Sequence, residues 1–266
     1  MPIKPQHVAQ LTVLLSPDRL ASLTELTGSA ETAIELHQAT LQLGSRMMHV
    51  TATIEIALRN TVADNLSRYF GVPNWLQQPP IAFRWKEPER KKIEGAVDSA
   101  KRAEYAKLSQ AQKAQLDAIA YPRGRPPNTP HLRRAKERRR QITVTEGKVI
   151  AELTLYFWKR LYGPEYDHLL WRTTLKRTFP DKSLTRAAIA IQLEQLYQTR
   201  NRLAHHEPVL HQRFSDTMTA IDFIVQRLGT TSPSPETPLA TLLADDIYEV
   251  RAQEEALSAR LRAFRM

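Results

Sequence analysis

The residue types best equipped for chemistry sit in the run Arg200-Asn201-Arg202-Leu203-Ala204-His205-His206-Glu207-Pro208. On a helix, Asn201 and His205 are four residues apart and share a face, so the amide can orient the imidazole. Glu207 precedes a proline and leaves the helical region, which puts His205 in the last turn. A helix C-terminus favours the imidazolium, whereas Arg200 and Arg202 oppose it, and such a balance suits general acid–base work. Arginine adds a bidentate fork for phosphate or carboxylate oxygens. Arg200 and His205 are five residues apart, about 140° around a helix, so one helix alone turns them away from each other. The plainer reading is a helix-end arginine and a capping histidine. Asn201 serves as a catalytic or a positioning group, and His206 as support or packing. The adjacent pair His205-His206 diverges by about 100° and has no Asp or Glu set to complete a zinc-like shell, so no metal and no cofactor are expected.

The elements that must hold this run read as helices. Ser16 before Pro17 caps one helix, and Ser29 opens a long periodic stretch that Gly71-Val72-Pro73 stops, with Gly44 a point where it could divide. A charged helix is expected from about Glu87 to Ile119. The proline-dense segment from Tyr121 to Pro130 cannot be helical, and 121–145 reads as a long exposed loop. Periodicity resumes from Thr145 to Leu161, a short helix containing Trp171 follows, and a helix starting at Ser183 or Leu184 ends in the motif. Another covers Val209 to Leu228. The expected organisation is a helical domain over 1–228, a linker over 229–238 and an amphipathic C-terminal helix over 239–266 that docks on the body or on a second chain. The fold class is all-α, a helical bundle with additional N-terminal helices and this C-terminal tail.

Composition narrows the function classes. The absence of cysteine excludes disulfides, thiolate catalysis and Cys-based zinc sites. Leu11 to Leu15 is too short for a signal segment and no apolar run is long enough to span a bilayer, so a cytoplasmic protein with no membrane partner is expected. The formal charge of +10 is concentrated between Tyr121 and Arg140, which carries Arg123, Arg125, Arg133, Arg134, Lys136, Arg138, Arg139 and Arg140 against Glu137 alone. Such a field attracts phosphate backbones without reading sequence, or serves only as a solvated loop. Arg123-Gly124-Arg125-Pro126 also matches the core of an AT-hook, a weak pointer to DNA. Glu55, Arg59 and Asn60 form a polar group in an apolar helix, read either as a Glu55–Arg59 ion pair or as support and RNA contacts beside the motif. Trp75, Trp158 and Trp171 are expected in the core.

The run Arg200-Asn201-x-x-x-His205 resembles the R-N-x-x-x-H motif of HEPN ribonucleases, in their Abi-like (abortive infection) branch. Glu152-Leu153-Thr154-Leu155-Tyr156-Phe157-Trp158 is similar to that branch's E-L-x-F-G-F-W helix, followed by Trp171 and Phe179-Pro180. Ile54-Glu55-Ile56-Ala57-Leu58-Arg59-Asn60, with Trp75 downstream, is similar to its I-E-x-x-L-R-N…W segment. Tyr156 stands where that pattern has glycine. These stretches span roughly 30–228, and their shared order carries more weight than the hexapeptide.

The resemblance implies a HEPN-like bundle and metal-independent cleavage of RNA by attack of the ribose 2′-hydroxyl. His205 is then the acid–base group and Arg200 the phosphate clamp, supported by Asn201 and His206. Arg202 and the basic residues of 121–140 are expected RNA contacts. Such proteins usually pair as homodimers whose motif helices line one cleft, which answers the 140° separation. A role in phage defence or as a toxin, with an antitoxin or other regulatory partner, belongs to the same expectation. A non-catalytic RNA-binding or interaction protein of the same fold, and more remotely a DNA-binding regulator, stand as alternatives.

Overall fold

With eight glycines in 266 residues, the chain has few places to turn without a side chain. The computed structural model describes residues 3–264, which form eleven α-helices with short 3-10 and π turns, and no strand occurs among the described residues. The protein is all-α. Among the described residues no helix is long and apolar enough to cross a membrane. The chain forms two compact units, one of residues 1–58 and 179–266 and the other of residues 59–178.

The first unit opens with α1 (Pro5–Leu15) and α2 (Pro17–Thr27), each with proline in its first turn where no amide donor is needed. The 41-residue α3 (Ala30–Phe70) follows; the Ser29 hydroxyl accepts from the Thr32 amide at its start, and Gly71 stops it in a left-handed conformation. Within this unit its buried stripe is Leu36, Leu43, Met47, Val50, Ile54 and Leu58, spaced by three, four or seven as a helix requires. Gly44 does not divide it. The unit is completed by α9 (Arg186–Ala204), α10 (Gln212–Val225) and α11 (Pro238–Ala263). Thr199 of α9 and Thr217 of α10 join their hydroxyls across the interface at 2.7 Å. The Thr237 hydroxyl accepts from the Ala240 amide and donates to the Val225 carbonyl, so one side chain starts α11 and ties it to the end of α10. The C-terminal helix therefore packs within its own chain, burying Leu239, Leu243, Val250, Leu257 and Leu261.

The second unit takes the end of α3 and then α4 (Glu87–Lys107), α5 (Gln110–Ala120), α6 (His131–Arg140), α7 (Glu146–Glu152) and α8 (Leu155–Arg160). Two helices expected to be continuous are each divided. The expected Glu87–Ile119 helix breaks at Leu108, whose extended backbone is followed by a capping box: Ser109 accepts from the Gln112 amide while Gln112 accepts from the Ser109 amide. The 145–161 helix breaks at Leu153, whose carbonyl accepts the indole N–H of Trp158. The expected 121–145 loop is irregular over 121–130 and again over 141–145, because α6 occupies the stretch between. The core is aromatic: Phe70, Trp75, Phe83 and Trp85 make ring contacts 4.9–6.2 Å apart, and Phe157 and Tyr166 flank Trp85. Trp75 and Trp158 are fully buried, as expected, and Trp171 is half-buried against Tyr162.

Glu89 is 1% exposed yet fully served: Arg160 donates to one oxygen, and the Tyr166 hydroxyl donates to the other at 2.8 Å. Tyr166 in turn accepts from the Lys86 amide, and burial pushes its phenol above the ordinary range. Removing Arg160 leaves the buried Glu89 carboxylate without its counter-charge. Arg160→Ala is expected to cost about 3–5 kcal/mol in chemical denaturation; a loss below about 1 kcal/mol contradicts this assignment.

Candidate active site at the end of the motif helix

The motif helix α9 is capped by Thr185, whose hydroxyl accepts from the Ala188 amide, just after the expected start at Ser183 or Leu184. Ile189, Leu193, Leu196, Thr199 and Leu203 form its buried face. Gly44 of α3 lets this face come close. A Cβ at Gly44 would lie 3.5 Å from the Leu203 Cδ2, an ordinary van der Waals contact.

The helix ends in a Schellman turn. His206 donates its amide to the Leu203 carbonyl at 3.0 Å, and Glu207 donates to the Arg202 carbonyl at 2.9 Å. His206 carries the left-handed backbone (φ +56°) that such turns normally assign to glycine. His205 is the last near-helical residue, and its amide donates to the carbonyls of Asn201 and Arg202. The turn is also closed by side chains, since Arg202 Nη1 lies 2.9 Å from Glu207 Oε2. Arg202 is half-buried and helps to close this turn.

Arg200 is 35% exposed, and its Nε lies 3.6 Å from Glu55 Oε2 on α3. His205 is exposed, and among the described residues its ring has no hydrogen-bond partner. The expected Asn201-to-His205 contact is made by the backbone, not by the amide side chain. Of the polar group in α3, Glu55 stands beside the motif helix. Arg59 and Asn60 belong to the second unit, where Arg59 Nη1 donates to the Ala151 carbonyl at 3.4 Å and Asn60 is exposed.

The basic segment is partly structural, which corrects its reading as a long exposed loop. Arg134 and Arg138, four apart on α6, both grip Asp117 of α5, and Arg138 also donates to the Tyr105 hydroxyl at 3.3 Å. Arg138 is 7% exposed and unavailable to a large ligand. Arg140 pairs with Glu137 at 2.8 Å and Arg139 is half-buried. Arg123, Arg125 and Arg133 stay exposed, the first two in the irregular segment around Gly124. Among the described residues no three His, Asp or Glu side chains cluster as metal ligands.

Two features beside the motif were legible only as weak signals. His37 interrupts the apolar stripe of α3 next to Leu36 and is 7% exposed. The Schellman turn was hidden because its left-handed position holds histidine in place of glycine. Comparison of the chain with protein-family models, with curated proteins and with solved structures finds no match.

Two predictions follow from these contacts. His206→Gly removes the Cβ penalty of the left-handed backbone and is expected to stabilise the protein by up to about 1 kcal/mol in thermal denaturation; a clear loss contradicts the turn as described. The two guanidinium groups hold the Asp117 carboxyl far below the ordinary carboxylate range. Its contribution is therefore complete above the unfolded value near about 3.9 and is lost as pH falls below it. Asp117→Asn should lower Tm at neutral pH and make the fall in Tm on acidification shallower than in wild type. Parallel Tm-versus-pH curves contradict the assignment.

Proposed function

We propose that this protein is a metal-independent endoribonuclease of the Abi-like HEPN type, acting on RNA as a homodimer. The observation that carries the reading is the end of α9: a partner-free, exposed His205 at a rigid helix terminus, with Arg200 one turn and a half earlier held by Glu55. This joins the R-N-x-x-x-H resemblance to a geometry suited to the chemistry.

In this reading the Arg200 guanidinium donates to the non-bridging oxygens of the scissile phosphate, where negative charge grows. The ribose 2′-hydroxyl attacks phosphorus, losing its proton to a base, while an acid protonates the departing 5′-oxygen. His205 supplies acid–base catalysis. The products are a 2′,3′-cyclic phosphate and a 5′-hydroxyl, and DNA is spared for lack of the nucleophile. Glu55 positions Arg200, and the exposed Arg123, Arg125 and Arg133 remain as cations for the phosphate backbone. A helical separation of about 140° between Arg200 and His205 makes the partner-chain motif helix part of the site. Action in the cytoplasm, in phage defence or as a toxin held by an antitoxin, completes the reading.

The test is incubation of the full chain with mixed cellular RNA in excess chelator. Cleavage to cyclic-phosphate ends is expected, with a loss of about 10²–10⁴-fold in His205→Ala and a comparable loss in Arg200→Ala. Equal behaviour of wild type and His205→Ala, with RNA still bound, contradicts the enzyme and supports a non-catalytic RNA-binding protein.

A further inference from the structure

Behind the Schellman turn lies a cavity of about 490 Å³, entirely within the first unit. That is within the size range of a small-molecule site. Leu23, Leu41, Met48, Leu203 and Leu210 supply apolar wall, and His206, Glu207 and Pro208 form the side nearest the motif. Neither Arg200 nor His205 lines it, so it is separate from the proposed catalytic pair.

Two cationic or polar groups converge on this apolar space. His37 lines the cavity while 93% of its surface is buried, a value complementary to its 7% exposure, and its Nδ1 is shut from solvent without a hydrogen-bond partner. Leaving such an atom unmatched is costly in a structure that had freedom to avoid it. Burial, reinforced by Arg19, pushes the His37 pKa down and so favours the neutral ring. The unmatched Nδ1 is the atom that a polar group of a bound molecule would satisfy. Arg19 stands on the rim, and among the described residues it has no carboxylate partner. Glu207, the one acidic group lining the cavity, is held by Arg202.

We propose that this cavity is a binding site for a small organic acid, its apolar body between α2, α3 and the end of α9, its anion on Arg19 and a polar atom on His37. A ligand there lies against the turn that carries His205. The proposal stands on the cavity and its lining, and it survives or fails independently of the ribonuclease reading.

The probe is 1-anilinonaphthalene-8-sulfonate, which joins a flat apolar body to a permanent anion; its uncharged counterpart is N-phenyl-1-naphthylamine. Calorimetric titration of the full chain should show one anionic probe per chain. Arg19→Ala should weaken it about ten-fold, the scale of one charge-assisted contact, and leave the neutral counterpart unchanged. Leu41→Trp should abolish binding by filling the cavity. Should that variant lose helical signal, Ser45→Trp at the exposed rim makes the same test with less disturbance of the core. Several weak sites, or binding that neither Arg19→Ala nor the tryptophan variants alter, overturns the proposal.

Discussion

Pro208 cannot extend a helix and biases Glu207 away from helical backbone, so the motif helix has to release its chain within the preceding residues. Everything distinctive about the candidate site follows from how that release is made. The Schellman bonds of His206 and Glu207 consume the last carbonyls, and the Arg202–Glu207 pair closes the turn. His205 is left at the boundary, fixed through its backbone and exposed through its ring. Leu203 lies toward Gly44 of α3, and on the same helix Glu55 stands beside Arg200. A left-handed histidine in place of glycine is a local cost of about 1 kcal/mol. Such costs cluster where a side chain has work to do, and here the strained residue faces the cavity behind the motif.

The charges of this basic protein divide into those that hold the fold and those that remain for a partner. Glu89 with Arg160 and Tyr166, and Asp117 with Arg134 and Arg138, are satisfied from within. Their arginines are occupied. The exposed Arg123, Arg125 and Arg133 retain their reach for phosphate.

The all-α class was legible because helical periodicity and proline placement agreed along most of the chain, although the Ser16 side chain does not cap α2 as expected. Ser29, Gly71 and Pro17 act as the sequence implies. What was illegible depended on partners distant in sequence. The break at Leu108 is the exception, since its capping box, Ser109-x-x-Gln112, is local and was masked by the continuous periodicity of 87–119. The basic run looks like a solvated loop until Asp117, on another helix, gathers Arg134 and Arg138 onto one face. Arg200 and His205 could be named from residue type and spacing. That Glu55 meets Arg200 could not, because a helix sequence does not say which neighbour its polar face will find.

The central claim is that Arg200 of one chain works with His205 of another. It is tested most directly by mixing Arg200→Ala and His205→Ala proteins, each inactive alone, under conditions that exchange subunits. The account predicts that RNA cleavage returns to roughly a quarter of wild-type activity, since half of the dimers are mixed and each holds one complete pair. No return of activity on verified exchange, or full activity from a strictly monomeric chain, contradicts it.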